Sequence, residues 1–108
     1  MKDAMENSDE SDLDVMVHNV VDAEKMLKSL ANANRLMILC YLLEGEKTVS
    51  QLSDLIELSQ SSISQHLAKM RNNGMVECEK RGHMAYYHIR SKEVGAILSV
   101  LHLIYCKR

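Results

Sequence analysis

Proline, tryptophan and phenylalanine are absent from this 108-residue chain, and glycine occurs only four times. With no proline to break a backbone hydrogen-bond ladder and few glycines to loosen one, a mainly helical chain is expected. Long apolar runs are missing too. None approaches the roughly 18 residues of a membrane span, and no basic-then-apolar pattern opens the chain, so a cytoplasmic location is expected. Three cysteines, an odd count, do not make a structural disulfide framework, and in a reducing compartment any disulfide would be a regulatory event. There is no phosphate-cradling glycine loop, no paired acid and base, and no histidine beside the cysteines in sequence. Neither an enzyme nor a cofactor is expected.

What the chain does contain is enough for one domain: 108 residues that are 46% apolar, able to bury a modest core. The net charge of −2 conceals a strong division. Residues 1–14 hold Asp3, Glu6, Asp9, Glu10, Asp12 and Asp14 against Lys2, a net of −5, which leaves +3 for the rest. The acidic head has too few apolar residues to fold, so residues 1–13 are expected to be a disordered tail ahead of a domain spanning 14–108. Residues 59–92 carry Lys69, Arg71, Lys80, Arg81, Arg90 and Lys92 against Glu77 and Glu79, a net of +4. Such a concentration of positive charge suits a polyanion.

The most informative stretch runs from Ser59 to Gly74. Ile63, Leu67 and Met70 recur with the period of one helix face, while Ser61, Gln65 and Lys69 form a second stripe with Ser62 and Ser64 beside it. Hydroxyls, an amide and a cation that project together suit phosphates and base edges. Gln60, Ser61, Ser62, Ser64, Gln65 and Lys69 are therefore candidate DNA contacts. His66 adjoins the buried stripe and is expected to pack against the preceding helix. Ser59 is placed to cap the first turn and Gly74 to stop the last. Upstream, Thr48-Val49-Ser50-Gln51 has the form of a capping box opening a short helix, with Leu52, Leu55 and Ile56 expected to face inward, that ends near Leu58. Downstream, Met75–Lys80 and Met84–Arg90 are extended runs around Arg81-Gly82-His83, where Gly82 can take positive φ. A helix-turn-helix followed by a basic-tipped hairpin is a winged helix, with Lys80, Arg81 and His83 expected to meet the DNA backbone or minor groove.

Three further helices are expected. One spans about Asp14 to Ala31 with Val17, Val20, Val21, Leu27 and Leu30 near one face, interrupted there only by Glu24, one covers Arg35 to Leu43, and one, with Ser91 placed as its N-cap, runs to Cys106 with Val94, Ile97, Leu98, Leu101, Ile104 and Tyr105. The apolar faces of the first and last exceed what one small subunit can cover, so a symmetric dimer through those two helices is expected.

The order of these elements, together with Leu30-Ala31-Asn32-Ala33-Asn34-Arg35-Leu36, the Leu58–Leu67 run, Asn73-Gly74-Met75-Val76 and Tyr86-Tyr87-His88-Ile89, resembles the ArsR family of dimeric winged-helix repressors. The resemblance covers roughly Val20 to Cys106. It implies a homodimer on a double-stranded operator that is an inverted repeat, and a signal to be sensed. The family's thiolate metal site would need cysteine between Lys47 and Leu52, where there is none. Its zinc site on the last helix would fall on Ser91, Glu93, Ile104 and Lys107, of which at most one could coordinate, so no metal is expected there. A non-standard metal site using His18, His88 or His102 stays open as an alternative.

Cys40 falls on the Leu36, Leu39, Leu43 stripe near the end of the second helix of the domain, and Cys106 closes the last. Read from the residues alone, Cys40 is as well explained as an inert core residue and Cys106 as a bystander at a frayed end. The segments Ile38–Leu43 and Leu103–Cys106, however, resemble the dithiol of the BigR/HlyU branch of the family. That resemblance implies a redox switch in which oxidants or reactive sulfur species act as inducers by bridging Cys40 and Cys106. Cys78, on the expected wing strand, is left out of it. A winged helix that meets an acidic protein partner instead of DNA is the alternative from a different class, distinguished by the salt dependence of binding to random DNA.

Overall fold

Side-chain caps at Ser11, Asn32, Thr48, Ser59 and Ser91 mark helix starts in this computed structural model, which describes residues 11–106. Among the described residues the order is α1 (Asp12–His18), α2 (Val20–Leu30), α3 (Ala33–Leu43), α4 (Val49–Ile56), α5 (Gln60–Asn72), β1 (Val76–Arg81), β2 (Met84–Ile89) and α6 (Lys92–Tyr105). The single long helix expected from Asp14 to Ala31 is two. Asn19 ends the first of them, its side-chain amide donating to the Val15 carbonyl at 3.0 Å from a backbone at φ −102°, ψ 12°. Asparagine competes with the helix for backbone partners in this way. The start also lies earlier than expected. Ser11 and Asp14 cap each other's backbone in a reciprocal box, which places Ser11, Asp12 and Leu13 in the first helix and its cap, while the rest of the acidic head lies outside the described residues.

The core is built mainly by α3 to α6, with Leu30 at the end of α2 buried against them. Ile38, Leu39 and Leu42 of α3 meet Leu52 of α4, Ile63, Leu67 and Met70 of α5, Met75 and Val76 at the start of the hairpin, and Val94 and Leu98 of α6. The Thr48–Gln51 box forms in both directions, at 2.9 and 3.1 Å. Leu55, expected inward, is exposed. Counted at about 100° per residue from Leu52, Val49 and Ile56 fall on one side of it and Leu55 falls about 60° away on the other.

The turn between α4 and α5 passes through Glu57 in the left-handed region, at φ 62° and ψ 40°. The Ser53 hydroxyl donates to the Leu58 carbonyl and pins this turn. α5 ends in a Schellman arrangement, with Met75 N–H donating to Met70 at 2.9 Å and Gly74 N–H to Arg71 at 3.0 Å, and Gly74 at φ 73°. The hairpin follows in antiparallel register from Val76↔Ile89 to Arg81↔Met84, with Gly82 at φ 63° in its tip. On its other edge β2 exchanges two hydrogen bonds with Lys47, at 3.0 and 2.8 Å. The loop before α4 thereby fixes the base of the hairpin, and the whole is a winged helix-turn-helix.

Candidate nucleic-acid interface and thiol pair

α5 turns Ile63, Leu67 and Met70 fully inward, which leaves the opposite side free to project. Ser61, Ser64, Gln65 and Lys69 are exposed there, and Gln60 is exposed at the start of the helix. Ser62 is half-buried, and its N–H is the one that the Ser59 hydroxyl caps at 3.1 Å. His66 is also half-buried. Burial, then the charges of Arg35 and Lys69, push its imidazole below the usual histidine range, so it is held toward the neutral form beside the polar stripe.

The hairpin divides its three candidates. Lys80 and His83 are exposed. Arg81 pairs with Glu46, lies 3.9 Å from Glu79, and stacks 4.0 Å above the Tyr86 ring. A guanidinium with two carboxylates and an aromatic face has its charge largely answered within the chain. Sequence reasoning missed Glu46, which stands 35 residues away, and only the pairing of Lys47 with Tyr87 brings it to the wing.

Cys40 is exposed, contrary to its expected place on the core stripe. The face of α3 that enters the core is Ile38, Leu39 and Leu42, and Cys40 lies on the flank beside Leu36 and the exposed Leu43, turned toward α6. There it lines one cavity of about 410 Å³ with Cys106 and with Leu36, Leu98, Leu101, His102 and Tyr105. Both thiols are free. Burial first, and then the electrostatic interaction with Cys106, push the Cys40 thiol up. Although accessible from solvent, Cys40 thus borders a surface of mostly apolar side chains. His102 is one helical turn before Cys106, a spacing that was available as a signal in the sequence. Cys78 lies across the hairpin from Tyr87 and does not line this cavity.

Among the described residues no group of three or more His, Cys, Asp or Glu side chains is placed to hold a metal ion. The three histidines of the alternative metal reading are scattered: His18 contacts the Asp14 carbonyl at 2.9 Å, His88 meets Glu77 at 3.1 Å, and His102 faces the thiol cavity.

Residues 25–77 match the family described as "Bacterial regulatory protein, arsR family". Over 95 residues the chain is 44% identical to the transcriptional activator HlyU of Vibrio cholerae, covering 88% of each protein. The chain belongs to the ArsR family. The fold agrees: a solved structure of reduced HlyU from Vibrio cholerae superposes with a TM-score of 0.80 at 44% identity, covering 85% of this chain and 97% of that one. The transcriptional repressor BigR from Xylella fastidiosa matches with a TM-score of 0.79 at 29% identity, over 86% of this chain and 95% of BigR. This ArsR-family chain is a DNA-binding transcriptional regulator and not an enzyme. No helix among its described residues is long and apolar enough to cross a membrane.

Proposed function

We propose that the chain is a homodimeric repressor whose operator affinity is switched by oxidation or persulfide chemistry at Cys40 and Cys106. The observation that carries this reading is the cavity between α3 and α6, lined by both thiols. Bridging them removes two protons and two electrons, which an oxidant accepts, and ties the end of α6 to α3. A direct disulfide needs Cα atoms within about 7 Å, and a bridge with added sulfur spans somewhat more. The apolar side chains that α1, α2 and α6 leave exposed, among them Val17, Val21, Leu27 and Leu103, are the surface for a second copy. Because α6 belongs to that surface, a bridge at its end shifts the spacing between α5, the recognition helix, and its counterpart in the second copy. A two-fold operator, with half-site centres about one helical turn apart, tolerates such a shift poorly. Repression needs only operator occupancy; the similar BigR is a repressor and the similar HlyU an activator, so a reporter assay belongs in the test.

In this reading Gln60 or Gln65 reads a base, Ser61, Ser62, Ser64 and Lys69 hold phosphates, and Lys80 and His83 extend the contact along the wing. Arg81, given its partners, fixes the wing and adds little charge to the interface. The experiment is duplex binding by fluorescence anisotropy across a salt series. Gln65→Ala is expected to cost about 1–3 kcal/mol on the operator and Lys69→Ala to weaken binding to every sequence. Cys40→Ser and Cys106→Ser are each expected to bind when reduced and to stay bound under oxidant or persulfide, which releases wild type and Cys78→Ser by roughly ten- to a hundredfold, a loss of about 1.4–2.8 kcal/mol. Continued release by both single mutants, or no Cys40–Cys106 linkage in the intact mass of treated protein, overturns the switch.

A further inference from the structure

We propose that a basic crevice between α2 and the C-terminal half of α5 is a second seat for the DNA backbone, holding a phosphate that flanks the groove read by α5. The inference rests on the DNA-binding reading of α5 and adds Lys25, Lys28 and Arg35 to it. These three join Lys69, Asn72 and Asn73 around an open cavity of about 450 Å³ that no carboxylate lines. Four cations facing one space repel one another, and an anion there relieves the repulsion. Glu24 reaches Lys28 at 3.6 Å, but both side chains are mostly exposed, where such a pair offsets little.

Hydrogen bonds hold the walls of the crevice in place. Arg35 Nε donates to the Ser29 carbonyl at 2.6 Å and its Nη2 to the Lys28 carbonyl at 3.3 Å, while Asn73 Nδ2 donates to the Ser29 hydroxyl at 3.4 Å. Carbonyls and a hydroxyl position the guanidinium without cancelling its charge. The positive field reaches His66, which Arg35 and Lys69 both help to keep neutral.

Continuity selects the occupant. Lys69 belongs to this crevice and also to the exposed stripe of Ser61 and Gln65, about 6 Å further along α5 from Gln65 at 1.5 Å per residue. A strand that follows the recognition helix therefore runs on over the crevice. Lysine ammoniums are point charges that suit phosphate oxygens and carry no base code, so the contact is independent of sequence.

The test uses the full chain, with Lys25→Gln/Lys28→Gln as the main variant and Lys25→Arg/Lys28→Arg as its charge-conserving control. Anisotropy is measured on an operator duplex and on a random duplex across a salt series, with circular dichroism and sedimentation to confirm fold and assembly. Expected is a loss of affinity by the same factor on both duplexes, with the slope of log K against log salt shallower by about 0.9 for each phosphate contact removed, and recovery of both in the arginine variant. If wild type binds with a steep slope and the glutamine variant keeps both slope and affinity, the crevice is no phosphate seat and the recognition-helix reading stands. A loss confined to the operator duplex also overturns it. Wild type that binds no duplex overturns the DNA reading and the crevice together.

Discussion

Leu52, Ile63, Leu67 and Met70 are closed off from solvent completely, whereas Leu103, near the other end of the same chain, is 75% exposed. The first four belong to the winged helix, where α3, α4, α5, the hairpin and the start of α6 cover one another. Leu103 belongs to a helical shell, in which α1, α2 and the end of α6 present Leu13, Val17, Val21, Leu27 and Ile104 to solvent. The winged helix is thus a finished core within one chain, and the shell is an unfinished one. What differs is where the stabilisation comes from: the winged helix is held by contacts within the chain, whereas in the proposed dimer the shell would draw its own from a second copy, at a strength set by concentration.

The largest effect that separates the two regions is expected from truncation in the core. Leu67→Ala removes a side chain with no exposed surface and is expected to cost about 2–5 kcal/mol, from lost transfer energy together with the cavity left behind. Total stabilities of small domains are about 5–15 kcal/mol, so the urea midpoint should fall far below that of wild type at every protein concentration. A Leu67→Ala midpoint equal to that of Leu103→Ala would remove the distinction between the regions.

A charge on the shell should act on assembly instead. Leu103→Glu is expected to leave the circular dichroism of the chain unchanged and to abolish association in sedimentation equilibrium at micromolar concentration, because a carboxylate buried between two chains costs several kcal/mol. Its unfolding midpoint should then no longer depend on protein concentration, while that of wild type should. A monomeric wild type at that concentration would end the dimer model and the two-fold operator with it.

The same division separates what was legible in the sequence from what was not. Signals confined to one helical turn were read correctly: Ser59 and Ser91 as caps, the Thr48–Gln51 box, and the left-handed glycines at 74 and 82. Each is a local backbone requirement met by a residue a few positions away. The break at Asn19 was missed because its apolar neighbours keep a helical period straight through it. The setting of Cys40 was missed because α3 is apolar on most sides, so only packing decides that Ile38, Leu39 and Leu42 enter the core and Cys40 flanks it. The Arg81–Glu46 pair and the crevice of Lys25, Lys28, Arg35 and Lys69 join separate elements, and no spacing along one helix announces them. The arsR-family match ends at residue 77, before the second wing strand and the last helix; that Cys40 and Cys106 line one cavity was suggested in the sequence only by the BigR/HlyU resemblance.

The smallest expected effect tests whether the core extends as far as His66. Burial, aided by Arg35 and Lys69, lowers its pKa in the folded chain, while in the unfolded chain the imidazole titrates near the ordinary value of about 6.5. As pH falls through that value, the unfolded state takes up a proton that the folded state resists. Stability is therefore present above about 6.5 and declines with falling pH until the lowered folded value is reached, below which the loss stops growing. His66→Gln keeps a polar side chain but cannot titrate, so it should flatten this part of the profile. Urea midpoints of both proteins, measured at matched salt on either side of about pH 6.5, check the sign. An equal slope in the two proteins would mean that His66 is as accessible as the exposed stripe beside it and belongs to the DNA face, which would move the boundary of the closed core inward to Leu67.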